Sequence, residues 1–161
     1  MADGNALQPR IVLVDDEEMV LSSISSFLEL ETNYIVDTFT SGFQALEHIK
    51  NNEVNLIMSD YLMPEMDGLA FLADARKIKP EATRIILTGY ADKENAIKAI
   101  NEIGLFQYIE KPWNNDDLFL IIRNGIEKNI LAQKLKSKME EISKAHLEFQ
   151  ELQTNIMKTL I

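Results

Sequence analysis

The chain has 161 residues, 46% of them hydrophobic and 26% charged, which suits one compact domain with an appendage. It contains no cysteine, excluding disulfides and thiolate metal sites, and its net charge of -10 argues against nucleic acid as a direct partner. No apolar run approaches the roughly 18 residues of a membrane span, and Met1 to Pro9 lacks the regions of a signal peptide, so a cytoplasmic location is expected.

Residues 1–9 read as disordered or loosely attached. A first strand over 11–14 (Ile-Val-Leu-Val) runs into Asp15-Asp16, and Met19, Ile24, Phe27-Leu28 and Leu30 then recur at helical spacing. A second strand over 34–39 precedes Ser41, a helix N-cap candidate for the pattern Phe43, Leu46, Ile49. The third strand, 55–59, ends at Asp60 and is followed by the turn-rich Met63-Pro64-Glu65-Met66-Asp67-Gly68. Leu69, Phe71-Leu72, Ala75 and Ile78 continue as a helix that stops before Pro80. A fourth strand, 84–87, leads into Thr88-Gly89, and a helix between Asp92 and Gly104 follows, the glycine marking its end. The fifth strand, 105–109, precedes Glu110-Lys111-Pro112, where a cis peptide before the proline would aim the lysine inward.

Five alternating strand and helix segments predict a doubly wound, five-stranded parallel sheet of flavodoxin-like topology. Strands one, three and four are near-continuous apolar runs, as expected for parallel strands covered on both faces. In open sheets of this kind ligands bind at the C-terminal ends of the strands, where Asp15, Asp16, Asp60, Thr88 and Lys111 would gather.

The last helix begins near Asn115 with Asn114 or Asn115 as cap and Asp116-Asp117 at its positive end. No proline follows Pro112, so the helix is expected to run to the neighbourhood of Leu160, Gly125 costing it about 1 kcal/mol. Leu135, Ile142, Phe149 and Ile156 repeat every seven residues; Met139 and Leu160 extend one seam, while polar His146 and Gln153 interrupt it. Such a stripe needs a second helix, which predicts a homodimeric coiled coil over a 129–161 extension beyond a 10–128 domain. A solvated linker is the alternative.

Taken singly, each site residue has a bland explanation: an acidic pair caps helices, an aspartate starts turns, a threonine favours strands and a lysine is usually solvated. Together they are harder to obtain by chance. Two like charges about 4 Å apart cost roughly 4 kcal/mol at an effective dielectric near 20, so three carboxylates on one rim call for a cation. All-oxygen ligands with room for phosphate favour Mg²⁺.

From Arg10 to Lys128 the chain resembles the receiver domain of bacterial two-component response regulators. The resemblance rests on Asp15-Asp16, Asp60 with its Met63 to Gly68 loop, Thr88-Gly89, and Tyr108 ahead of Lys111-Pro112. It implies that Asp60 accepts a phosphoryl group from a sensor histidine kinase or a phosphotransfer protein. It further implies Mg²⁺ bound by Asp15, Asp16, Asp60 and the Leu62 carbonyl, with Thr88 and Lys111 on the phosphoryl group. Tyr108 would move between exposed and buried states as Thr88 shifts. The chain is then a phosphoacceptor rather than an enzyme, and any enzymatic output domain would lie beyond Ile161. Trp113 resembles receivers joined to signalling enzymes such as cyclic-nucleotide phosphodiesterases. The rival class, a dehalogenase-like phosphatase or phosphotransferase with an aspartate nucleophile, needs a D-x-D pattern, whereas the acids after strand one are adjacent. No G-x-x-x-x-G-K-[ST] phosphate loop occurs either.

Overall fold

The computed structural model describes residues 8–160, so most of the 1–9 segment lies outside the described residues. In chain order the elements are β1 (Arg10–Val14), α1 (Glu18–Glu31), β2 (Ile35–Phe39), α2 (Gly42–Asn51), β3 (Leu56–Asp60), α3 (Gly68–Ile78), β4 (Thr83–Thr88), α4 (Lys93–Glu102), β5 (Gln107–Glu110) and α5 (Asn115–Leu160). The strands form one parallel sheet in the order β2-β1-β3-β4-β5. This is the doubly wound, flavodoxin-like topology that the alternation predicts.

The burial of each strand follows its composition. β3 and β4 are buried throughout and β1 nearly so, whereas the edge strands β2 and β5 are only partly covered. Val12, Val14, Ile57, Ile86, Phe71 and Leu72 belong to the core between the sheet and its helices. Burying side chains of this size stabilises by roughly 1.5–3 kcal/mol each, which is why the apolar runs choose the middle of the sheet.

Two local details depart from the sequence reading, and two others follow it. β5 starts two residues later than expected, because Leu105 is buried in the approach to the strand and Phe106 N–H donates to the Arg84 carbonyl. Ser41 holds the N-cap position of α2, yet its side chain makes no capping bond. At the start of α5 the cap is Asn114, whose Oδ1 accepts from the amides of Asp116 and Asp117 at 2.8 and 3.3 Å. Gly104 ends α4 with φ +68, the left-handed conformation expected just past a helix.

The chain divides after Asn129 into two units. The first holds the sheet and its covering helices. The second, residues 130–160, is helical, and among its residues Leu135, Met139, Ile142, Phe149, Leu152, Ile156 and Leu160 are exposed. Among the described residues no helix is long and apolar enough to cross a membrane.

Candidate functional site

The register of the sheet decides which side chains share a rim. Val14 pairs with Ser59, Asp60 with Leu87, and Thr88 with Glu110, so the residues that follow β1 and β5 and those that end β3 and β4 meet at one edge. Backbone bonds continue the alignment: Tyr61 N–H donates to the Leu87 carbonyl at 2.9 Å and Lys111 N–H to the Thr88 carbonyl at 2.8 Å.

At this edge the Lys111 ammonium lies 2.9 Å from Asp15 Oδ2 and 3.0 Å from Asp60 Oδ1. Asp15 is 1% exposed and Asp60 8%, while Asp16 faces solvent. Carboxylate oxygens of Asp15, Asp16 and Asp60 lie within 4.8 Å of one another. Three carboxylates facing one ammonium leave negative charge unbalanced, and the donor set is all oxygen with one side open to water. These residues fit a hard divalent cation such as Mg²⁺. The Lys111–Pro112 peptide is cis.

The electrostatics record the same imbalance. Burial pushes the Asp60 carboxyl above the usual range, the Lys111 hydrogen bond pulls it down, and the Asp15 charge pushes it up again; the net shift is upward. For Lys111 burial acts downward, but hydrogen bonds to Asp15 and Asp60 outweigh it and the ammonium is held more firmly than in water. The site therefore keeps its cation and strains its anion.

The loop after β3 is built to bring α3 against Asp60. Asp67 caps α3, its Oδ1 accepting from Ala70 N–H at 2.8 Å. Gly68 N–H donates to the Tyr61 carbonyl, and a Cβ on Gly68 would stand 1.9 Å from the Asp60 carbonyl oxygen. Only glycine permits that approach. Glu65, a non-glycine residue, holds φ at +69 in the same loop. Gly68 appears in the sequence as a turn residue, and nothing in its local pattern announces the backbone beneath it.

The other expected participants are placed with less direct contact. Thr88 is buried and its hydroxyl donates to the Gly89 carbonyl at 3.1 Å rather than to an acid of the rim. Leu62 lies in the loop two residues past Asp60, its side chain exposed. Tyr108, half-buried on β5, has the Lys93 ammonium 5.9 Å from its ring centre, and Lys93 also pairs with Glu110 at 3.4 Å.

A family model described as a response regulator receiver domain matches residues 11–123. The hydrogenase transcriptional regulatory protein HoxA of Cupriavidus necator is 34% identical over 135 residues, 84% of this chain and 27% of that protein. The C4-dicarboxylate transport transcriptional regulatory protein DctD of Rhizobium meliloti is 31% identical over 80% of this chain and 28% of its own length. The chain thus spans about a quarter of the length of the curated relatives it matches. Among solved structures, a response regulator receiver domain protein from Clostridium thermocellum superposes with a TM-score of 0.72 at 34% identity, covering 77% of this chain and 98% of its own. A structure described as the adenylate cyclase from Rhodopirellula baltica gives a TM-score of 0.79 at 32% identity over 83% of this chain and 98% of that one. The signal receiver domain of an HD domain-containing protein from Pseudomonas fluorescens Pf-5 gives 0.74 at 34% identity, over 79% and 93%.

Proposed function

The chain belongs to the response regulator receiver family, and from that premise we propose that Asp60 is its phosphoacceptor, charged by a sensor histidine kinase or a phosphotransfer protein. The observation that carries this reading is the Lys111 ammonium, held 2.9 and 3.0 Å from two buried carboxylates. An Asp60 oxygen attacks the phosphorus of the donor's phosphohistidine. An O–P bond forms as the N–P bond breaks, and the electron pair returns to the donor imidazole. Mg²⁺ held by Asp15, Asp16, Asp60 and the Leu62 carbonyl would neutralise charge on the phosphoryl oxygens. Lys111 is already in place to pair with an oxygen of the product. The Thr88 hydroxyl, which can rotate away from Gly89, supplies a further donor, and Tyr108 follows into the space that Thr88 leaves.

Incubation with acetyl phosphate or phosphoramidate and Mg²⁺ tests the assignment. One acid-stable, base-labile acyl phosphate should form, and Asp60→Asn should abolish it. Labelling of the Asp60→Asn protein at the parent's rate would move the phosphoacceptor elsewhere. Weaker Mg²⁺ binding in Asp16→Ala would support the metal assignment.

The output reading concerns α5. Its extension carries Leu135, Met139, Ile142, Phe149, Ile156 and Leu160 exposed on a single helix, and a second copy of the chain would bury them. At roughly 1.5–3 kcal/mol for each large side chain, the seam can offset the cost of association. The reading is a cytoplasmic homodimer whose extension would carry the state of Asp60 to any fused output, whether transcriptional as in HoxA or enzymatic. Sedimentation at tens of micromolar should give a dimer for the parent and a monomer for the variant with both Ile142→Glu and Phe149→Glu. Monomers in both cases, with or without phosphorylation, would reduce the extension to a linker. The dehalogenase-like alternative has no observation in its favour.

A further inference from the structure

At the N-terminal edge of the sheet, α5 is tied down by a connected set of polar contacts. Thr83 Oγ1 donates to the Gly125 carbonyl at 2.7 Å. Asn129, 1% exposed, accepts from Asn55 Nδ2 at 2.8 Å and donates through its own Nδ2 to the Glu81 carbonyl at 2.8 Å. Asn55 in turn accepts from the Arg10 amide through Oδ1 at 2.9 Å, and its carbonyl accepts from Thr83 N–H at 3.0 Å. Two side-chain amides thus join the starts of β1, β3 and β4 to one residue of α5. Gly125 allows the helix to lie this close, because a Cβ there would meet Leu56 Cδ1 at 2.9 Å and Thr83 Cγ2 at 3.0 Å.

Packing alone does not ask for an asparagine at this place. Leu118, Ile122 and Ile126 already bury the apolar face of α5, and an aliphatic side chain would extend that face without the cost of burying an amide. What the amide adds is direction. Both ends of its side chain are paired, so it fixes the angle at which the helix meets the sheet as well as its depth.

Asn129 is also the last residue of the first unit. In an α-helix each N–H bonds the carbonyl four residues earlier, so the amides of residues 130–133 close on the carbonyls of residues 126–129. Starting a helix is unfavourable by a factor of roughly a thousand, whereas extending one adds a bond for each residue fixed. An exposed helical segment gains most when the turn before it is held rigid.

We propose that Asn129 is a positioning residue that makes the receiver the nucleus of the helical extension, holding the last carbonyls of the domain so that the helix propagates from a fixed root. The proposal rests in part on the reading of α5 as the output path. It concerns the architecture of that path and not the chemistry of Asp60, since Asn129 touches neither the acids nor Lys111.

Amide hydrogen exchange of the full chain, read by peptide, tests it. In Asn129→Ala, peptides covering residues 126–134 should exchange on the order of tenfold faster. Peptides from β1 and β3 should exchange as in the parent, and the rate of Asp60 labelling by phosphoramidate should be unchanged. Asn129→Ser, which keeps one donor and one acceptor, should give a smaller effect at the same place and serves if the alanine variant fails to fold. Exchange that is unchanged near residues 126–134, or that rises equally throughout the domain, would overturn the proposal and leave Asn129 a packing residue. In a second arm phosphoramidate and Mg²⁺ should alter exchange in the extension of the parent but not of Asn129→Ala. Failure of the parent itself to respond removes the output reading, while the locality of the first arm still decides the role of Asn129.

Discussion

The two ends of the same sheet are made from similar residues and reach opposite electrostatic outcomes. At the C-terminal rim Asp15 and Asp60 share one lysine and repel each other. At the N-terminal edge Asn55, Asn129 and Thr83 are joined by hydrogen bonds of 2.7–2.8 Å, with neutral donors matched to neutral acceptors. The rim holds an excess of charge that a cation and a phosphoryl group can relieve, whereas the base needs no further partner to satisfy its amides. Reactivity and architecture are thereby kept at opposite ends of strands only five or six residues long.

The comparison breaks most severely at Gly68. An alanine Cβ there would sit 1.9 Å from the Asp60 carbonyl oxygen and 2.9 Å from its carbon, both backbone atoms that cannot rotate away. Either α3 withdraws, losing the Gly68–Tyr61 hydrogen bond, or β3 moves at the residue that carries the reactive acid. Gly68→Ala should cost about 3 kcal/mol, at the upper end for overpacking, and slow Asp60 labelling at least tenfold. Denaturant unfolding and phosphoramidate labelling measure the two effects. A variant close to the parent in both would mean that the loop yields more readily than its backbone contacts indicate.

The difference between the ends also explains what could be read from the sequence. The rim is legible because each strand is an apolar run that stops at a charged or hydroxyl residue: Val14 before Asp15, Met58 before Ser59-Asp60, Leu87 before Thr88. The periodicity gives the strands, and the fold's rule about C-terminal ends gathers the residues. The base is not legible by the same means. Asn55 and Asn129 are 74 positions apart, and each alone is an ordinary polar residue at an element boundary or on a helix. Gly125 reads as only a cost to its helix until Leu56 and Thr83 are placed against it. Likewise the β5 boundary is missed because Leu105 is buried by the core rather than by the ladder. Long-range pairing leaves no local pattern.

The smallest expected effect is also the one that compares the two ends most directly, because removing a polar group should have opposite signs at each. Burial and the Asp15 charge raise the folded carboxyl of Asp60 above its unfolded value. A raised acid binds its proton more tightly in the folded state, so its contribution is favourable below the unfolded carboxylate pKa of about 4 and is lost as pH rises through the folded value. At pH 7 without Mg²⁺ the ionised Asp60 is a burden, and Asp60→Asn should raise the melting temperature by roughly 2–4 °C. The gain should fade as pH falls through the raised range in which the parent carboxyl protonates, and shrink when Mg²⁺ is added to the parent. Thr83→Val keeps the shape of a side chain that is 5% exposed but removes its bond to the Gly125 carbonyl. It should lower stability by roughly 0.5–1.5 kcal/mol, at every pH in that range and with no response to Mg²⁺. Thermal unfolding of both variants from pH 4 to 8 reads the two signs together. A stabilised Thr83→Val, or an Asp60→Asn that is destabilised at pH 7, would mean that the rim and the base do not divide the labour between reactivity and architecture.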